Sequence, residues 1–308
     1  MGGRAVFGRL RKPGHLAVQG ALVLSLLVAA ASPAFAAKPS GPGHGGGGGG
    51  TSATTGNDIS WPQCGGSYPS GQAFGIVGVN GGLADNSNPC LDSELSWALA
   101  SPGVTTRTGG TQPPASLYVN TGDPGPSDWT ALEGEEGDYG TCSGSNPNAC
   151  AWQYGYNMAT ADVANAITSL GSSVPRSFSS PADYPWWLDV ETGNTWQTGT
   201  SGQAMNVADL AGMVYELEKV ADIPATNIGV YSTSYQWTTI TGGSNTYTST
   251  LYPYHSEASE LAGLNDWIPG ARSASGAQTN CTAQTAFTGG KVTLTQWFGH
   301  TFDGDVAC

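Results

Sequence analysis

The chain has 308 residues, 11% of them charged, with 10 Lys and Arg against 23 Asp and Glu and a formal net charge of −13. All 23 acids follow residue 57, accompanied by only five basic residues (Arg107, Arg176, Lys219, Arg272 and Lys291), so residues 57–308 carry a balance of −18. A surface of that sign repels polyanions and argues against nucleic acid or an anionic membrane as a partner.

The first 36 residues read as a secretory signal of the Sec type. Arg4, Arg9, Arg11 and Lys12 form a basic start, residues 17–31 are apolar apart from Gln19 and Ser25, and Ala34-Phe35-Ala36 offers a small-x-small cleavage site. The apolar run is too short for a membrane span, and no later stretch approaches about 18 apolar residues. The mature chain is therefore expected to be secreted, without a membrane span. Its shortage of Lys beside abundant Gly, Ala, Ser and Thr is the composition of a high-GC bacterial source. Residues 37–56, with glycine at every position from 45 to 50, read as a flexible linker. No Lys-Ser/Thr follows those glycines, which speaks against a phosphate loop. Residues 57–308 suit one domain of barrel size.

In chain order, that domain predicts strands at 57–61, 73–80, 115–120, 185–191 and 228–232, with helices at 91–100, 154–170 and 204–221 between them. Residues 123–149 form a long polar loop. Helix signals become sparse after 232, and 266–268, 292–298 and 303–306 read as the remaining strands. Alternation giving way to strands predicts an irregular, TIM-like α/β barrel. Six cysteines in an exported domain predict three disulfides, drawn from 15 connectivities. Pairing near neighbours gives Cys64–Cys90, Cys142–Cys150 and Cys281–Cys308. A zinc site fits poorly, because no CxxC occurs and His255 and His300 are the only histidines of the domain.

The run Leu188-Asp189-Val190-Glu191-Thr192-Gly193 follows the aromatic stretch Tyr184-Pro185-Trp186-Trp187. Side chains alternate along a strand, so Asp189 and Glu191 point the same way, with Cα atoms roughly 6.5–7 Å apart. A barrel gathers its strand ends around one mouth. The polar and aromatic residues at those ends are Asp58, Asn80, Asn120, Asp189, Glu191, Tyr231, Trp267, Gln296 and Asp305. Crowded carboxylates raise one another's pKa, and a retained proton is what a general acid needs. Cleavage of a glycosidic bond uses two such groups. Alone, Asp58, Asp303 or Asp305 would equally serve a turn or a cap; the Asp189/Glu191 pair beside aromatic residues is the sharper signal. Of the ten tryptophans, those near the mouth, such as Trp61, would stack on sugar faces. No GxSxG occurs, and Asp303-Gly304-Asp305 begins a calcium loop without completing it. No cofactor or metal is expected.

These residues resemble glycoside hydrolase family 25, the lysozyme-like muramidases. Asp58-Ile59-Ser60-Trp61-Pro62-Gln63 is similar to that family's Asp-Val-Ser-x-x-Gln opening strand, Asp189-Val190-Glu191 to its Asp-x-Glu strand, and Gln296-Trp297 with Asp305-Val306 to its closing elements, with Gln and Trp in reversed order. The resemblance implies a barrel of five strand–helix units followed by three strands. It implies cleavage, with retention, of the β-1,4 bond between N-acetylmuramic acid and N-acetylglucosamine in peptidoglycan. Glu191 would be the acid/base, and Asp189 would stabilise the charged centre or orient the substrate's acetamido group. Asp58 and Asp305 would orient substrate at the mouth, with Trp61, Asn80, Asn120, Tyr231, Trp267 and Gln296 as further contacts. The chain is expected to act as a monomer on a polysaccharide. It departs from the family at Tyr118-Val119-Asn120, where Tyr-His-Phe is usual, and at Gly78-Val79-Asn80-Gly81-Gly82, which lacks the usual Lys segment. A non-catalytic glycan-binding wall protein on a degenerate barrel is the alternative. A chitinase-like hydrolase is a third reading, weakened by the missing Asp-rich motif.

Overall fold

A computed structural model describes residues 54–170, 178–243 and 260–308. The signal at 1–36 and nearly all of the linker at 37–56 lie outside the described residues. The first strand already begins at Thr55, two residues before the boundary read from sequence.

Eight strands close into a barrel: β1 Thr55–Ile59, β2 Gly75–Gly78, β3 Ala115–Asn120, β4 Trp186–Asp189, β5 Ile228–Tyr231, β6 Asn265–Ala271, β7 Val292–Trp297 and β8 Gly304–Ala307. Neighbours in the chain are neighbours in the sheet, and β8 closes onto β1. The first seven strands run parallel; β8 runs against both β7 and β1. Among the described residues five α-helices follow: α1 Leu91–Leu99 after β2, α2 Pro147–Leu170 after β3, α3 Gly199–Tyr215 after β4, α4 Ser234–Thr241 after β5 and α5 Ala274–Ala283 after β6. The TIM-like α/β class stands, with the five helices placed one strand later than the resemblance implied: β1 is followed only by a 3₁₀ turn at Trp61–Gln63.

Period-two alternation sorts each strand into two cores. On β4, Trp186 and Leu188 join the layer between sheet and helices, whereas Trp187 joins Phe74, Ile76, Trp267 and Leu294 in a separate cluster that fills the barrel. Gly229 makes this filling possible, because a Cβ there would overlap the Trp187 ring. Outside the barrel, Gly155 of α2 and Gly212 of α3 face the other helix's backbone at Asp209 and Trp152, so the two helices cross in close contact. The three disulfides join Cys64–Cys90, Cys142–Cys150 and Cys281–Cys308, the near-neighbour pairing. No helix among the described residues is long and apolar enough to cross a membrane.

Candidate active site

Because β1 to β7 are parallel, their C-terminal ends share one mouth. A pocket of about 160 Å³ opens there, lined by Asp58, Tyr118, Asp189, Glu191, Tyr231, Trp267, Gln296 and Asp303. Register places Asn120, Asp189 and Tyr231 side by side on β3, β4 and β5, and Gln296 opposite Asp305 on β7 and β8. Asp189 ends β4 and Glu191 follows it by two, so both carboxylates face the pocket. Trp267 forms the aromatic floor, its ring centroid 4.5 Å from that of Tyr231, 5.9 Å from Trp187 and 6.3 Å from Tyr118.

The backbone under the carboxylates is tied down on every side. The Asp189 carbonyl accepts from the Thr121 hydroxyl (2.6 Å), the Val190 carbonyl from the Ser232 hydroxyl (2.7 Å), and the Glu191 carbonyl from the Trp196 indole N–H (2.9 Å). Gln236, at the start of α4, donates from Nε2 to Glu191 Oε1 (3.4 Å), while its own Oε1 accepts from the Thr192 N–H (2.6 Å) and hydroxyl (3.1 Å). Across the pocket, the Tyr231 hydroxyl donates to Gln296 Oε1 (2.9 Å), and Gln296 Nε2 donates to Asp58 Oδ2 (3.0 Å). Behind Asp58 lies Asp305, with no exposure to solvent, held by the Trp267 indole N–H (3.0 Å).

This crowding decides where protons reside. Burial, reinforced by the Asp303 charge, pushes the Asp58 carboxyl up to about 6, although Gln296 and Asp305 hydrogen-bond to it. Asp58 and Asp305 bond to one another, which requires one of the two to be protonated. Burial and the Asp58 charge hold Asp305 well above the usual carboxylate range, so the shared proton belongs with Asp305. Asp189 is also held well above that range, by burial first and then by Glu191 and Asp58. One Asp189 oxygen is buried with no hydrogen-bond partner among the described residues. Glu191 is only half-buried. Asp189 thus keeps its proton into a pH range where ordinary carboxylates have lost theirs.

Six of the ten site residues read from sequence line this pocket: Asp58, Asp189, Glu191, Tyr231, Trp267 and Gln296. Asp305 stands behind the wall. Asn80 and Asn120 are buried and bond to each other across β2 and β3: Asn80 Oδ1 accepts from the Asn120 N–H (2.8 Å) and Nδ2 (2.9 Å). Trp61 sits beyond β1, half exposed and outside the pocket lining, its indole against Gly82. Sequence reasoning missed Gln236, met Tyr118 only as a departure from the family's pattern, and set Asp303 aside as a turn or cap residue. Tyr118 was legible, since it lies two residues before Asn120 and shares its face; Gln236 required α4 to be placed.

Fold and pocket define an α/β barrel with an acid-lined cleft over an aromatic floor. No protein-family model matches the chain. No curated protein matches it in sequence. Among solved structures, a muramidase from Trichobolus zukalii is similar at 15% identity, covering 83% of this chain and 94% of that one with a TM-score of 0.44. A family GH25 lysozyme from Aspergillus fumigatus is similar at 14% identity, covering 82% and 92%, also at 0.44. Both superpositions are loose, and the reading of the cleft rests on its own geometry.

Proposed function

We propose that the protein is a secreted glycoside hydrolase that cuts peptidoglycan between its amino sugars, with retention. The observation that carries this reading is the Asp189/Glu191 pair, both lining one pocket at the barrel mouth beside Trp267, with burial holding the Asp189 carboxyl well above the usual carboxylate range. Two carboxyl groups in one cleft, one of them held protonated, suit an oxocarbenium-like transition state. The proton moves from Asp189 to Glu191 when a sugar covers Glu191 and removes its water. Glu191 then gives that proton to the leaving glycosidic oxygen as the C–O bond breaks. Asp189, now ionised, or the substrate's own acetamido oxygen meets the positive carbon. Water, deprotonated by Glu191, completes hydrolysis on the same face.

Asp58 and Gln296 orient the sugar from the opposite wall, and Asp305 fixes Asp58. The opening Asp58-Ile59-Ser60-Trp61-Pro62-Gln63 motif favours peptidoglycan as the polymer. Export is supported by the basic and apolar N-terminus and by three disulfides. The test is mass spectrometry of peptidoglycan after incubation with the oxidised protein. The reading requires soluble fragments ending in reducing N-acetylmuramic acid. Folded protein that binds peptidoglycan and releases nothing would mark a glycan-binding protein instead.

A further inference from the structure

Glu191 is held by a side chain that the hydrolysis scheme above does not use. Gln236 sits in the first turn of α4, after β5, where its own N–H donates to the Thr233 hydroxyl oxygen (3.1 Å). From there its amide reaches back to the segment after β4 and takes hold of two consecutive residues. Gln236 Oε1 accepts from the Thr192 N–H (2.6 Å) and hydroxyl (3.1 Å), and Nε2 donates to Glu191 Oε1 (3.4 Å). A backbone N–H can only donate, so the amide atom facing Thr192 is the oxygen and the group facing Glu191 is the NH₂. The amide cannot turn over without setting donor against donor at Thr192. The Glu191 carboxyl therefore meets a donor of fixed direction.

Such a donor distinguishes the two oxygens of Glu191. In a protonated carboxyl the carbonyl oxygen is the better acceptor, so an N–H held at Oε1 leaves the proton on Oε2. The same donor stabilises the ionised form of the group. The surroundings make this bond count. Asp189 precedes Glu191 by two residues, Tyr231 stands beside Asp189 on β5, and Asp58 and Asp303 line the same pocket with Asp305 behind. Those groups carry negative charge or none, and no Lys, Arg or His is among the lining residues. A neutral amide then opposes the repulsion between Glu191 and Asp189. At 3.4 Å the bond is long, and hydrogen bonds of this kind shorten when substrate displaces water.

We infer that Gln236 is the positioning residue of Glu191: it reserves Oε1 as an acceptor and so makes Oε2 the oxygen that hands the proton to the leaving group. The proton leaves Glu191 Oε2 for the glycosidic oxygen as the C–O bond breaks, and Gln236 keeps its own hydrogens throughout. The inference rests on the hydrolase reading for the reaction and on the hydrogen bonds of Gln236 for the geometry.

The experiment takes two readouts on the oxidised full chain and on its Gln236→Met and Gln236→Glu variants. Gln236 is half-buried and its partner Thr192 is exposed to water, so both variants fold. Met removes donor and acceptor without adding charge; Glu keeps the acceptor for Thr192 and removes the donor. The first readout is the carbon-13 carboxyl resonance of Glu191 against pH, assigned by its loss in Glu191→Gln. Losing a donor weakens the ionised form, so the midpoint should move up by about half a pH unit or more in Gln236→Met, and further in Gln236→Glu. The second readout is kcat and KM for reducing-end release from peptidoglycan against pH. Glu191 acts as the protonated acid, so the alkaline limb should move up with the midpoint. At the best pH, kcat should fall about tenfold in both variants while KM holds. A residue that merely anchors Thr192 would leave Gln236→Glu at the wild-type kcat, and that result overturns the inference. An unmoved Glu191 midpoint in Gln236→Met overturns it too. A midpoint that moves, with no release by wild type, sinks the hydrolase reading alone; release by wild type with an unmoved midpoint sinks the positioning role alone.

Discussion

Glu94 offers a direct check on how strongly this barrel penalises buried charge. It lies on α1 with no solvent exposure, one oxygen accepting from Asn88 Nδ2 at 2.6 Å and the other without a partner among the described residues. The same Asn88 nitrogen donates to the Gly78 carbonyl at the end of β2 (2.8 Å), so the pair ties helix to barrel. Burial raises the carboxyl from 4.5 to about 7, and the Asn88 hydrogen bond offsets only part of that. The native state then holds this proton more tightly than the unfolded chain. Stability accordingly falls as pH rises from 4.5, and the fall is complete above about 7. At about 1.4 kcal/mol per pKa unit, the span is worth roughly 3 kcal/mol. Glu94→Gln keeps the shape and an acceptor for Asn88 but cannot ionise. In urea unfolding with disulfides intact, the variant should match wild type near about pH 4 and exceed its stability by roughly 3 kcal/mol near about pH 8. A stability difference that is the same at both pH values would refute the reasoning, because it would show that ionised Glu94 is not penalised.

Gly229→Ala should lower stability by about 1–3 kcal/mol, since its methyl overlaps the Trp187 ring inside the barrel; an unchanged thermal midpoint would show that the ring can step aside. Trp267→Phe removes the indole donor to Asp305 and should cost about 1–3 kcal/mol. That donor stabilises the ionised form of Asp305, so the loss in urea unfolding should grow as rising pH ionises Asp305, and a loss that shrinks with rising pH would contradict the assignment. Of the disulfides, Cys281–Cys308 closes 27 residues and Cys142–Cys150 closes 8. Replacing each pair by Ala should therefore cost about 3.5 and about 2.5 kcal/mol respectively, by loop entropy. Calorimetric midpoints in the reverse order would refute that ranking.

β4 and its neighbours were legible because alternation is a strong signal when one face is a barrel interior. Residues 115–120 are a strand as read, and the same-side placement of Asp189 and Glu191 follows from period two alone. The later helices were not legible. α5, Ala-Ser-Gly-Ala-Gln-Thr-Asn-Cys-Thr-Ala, buries only Ala277 and has no apolar stripe; its start depends on Ser273 accepting from the Gly276 N–H, and its Cys281 is tied to the C-terminus. α4 is rich in threonine, a poor helix former, and is set by the Thr233 cap and the left-handed Gly242 at its end. Missing α4 concealed Gln236. Asn80 and Asn120 illustrate the opposite limit: they reach the mouth in register, but a buried amide must find partners, and each finds the other before any ligand.

The most direct test of Glu191 as the acid is the rate of reducing-end release from purified peptidoglycan by wild type and by Glu191→Gln, with urea unfolding of both. The account predicts release by wild type, a loss of at least about 100-fold in the variant, and unfolding midpoints that coincide because Glu191 is half-buried and its side chain is held, among the described residues, by a 3.4 Å bond from Gln236. A variant that still cuts at the wild-type rate, or a wild type that cuts nothing while folded and oxidised, would contradict it.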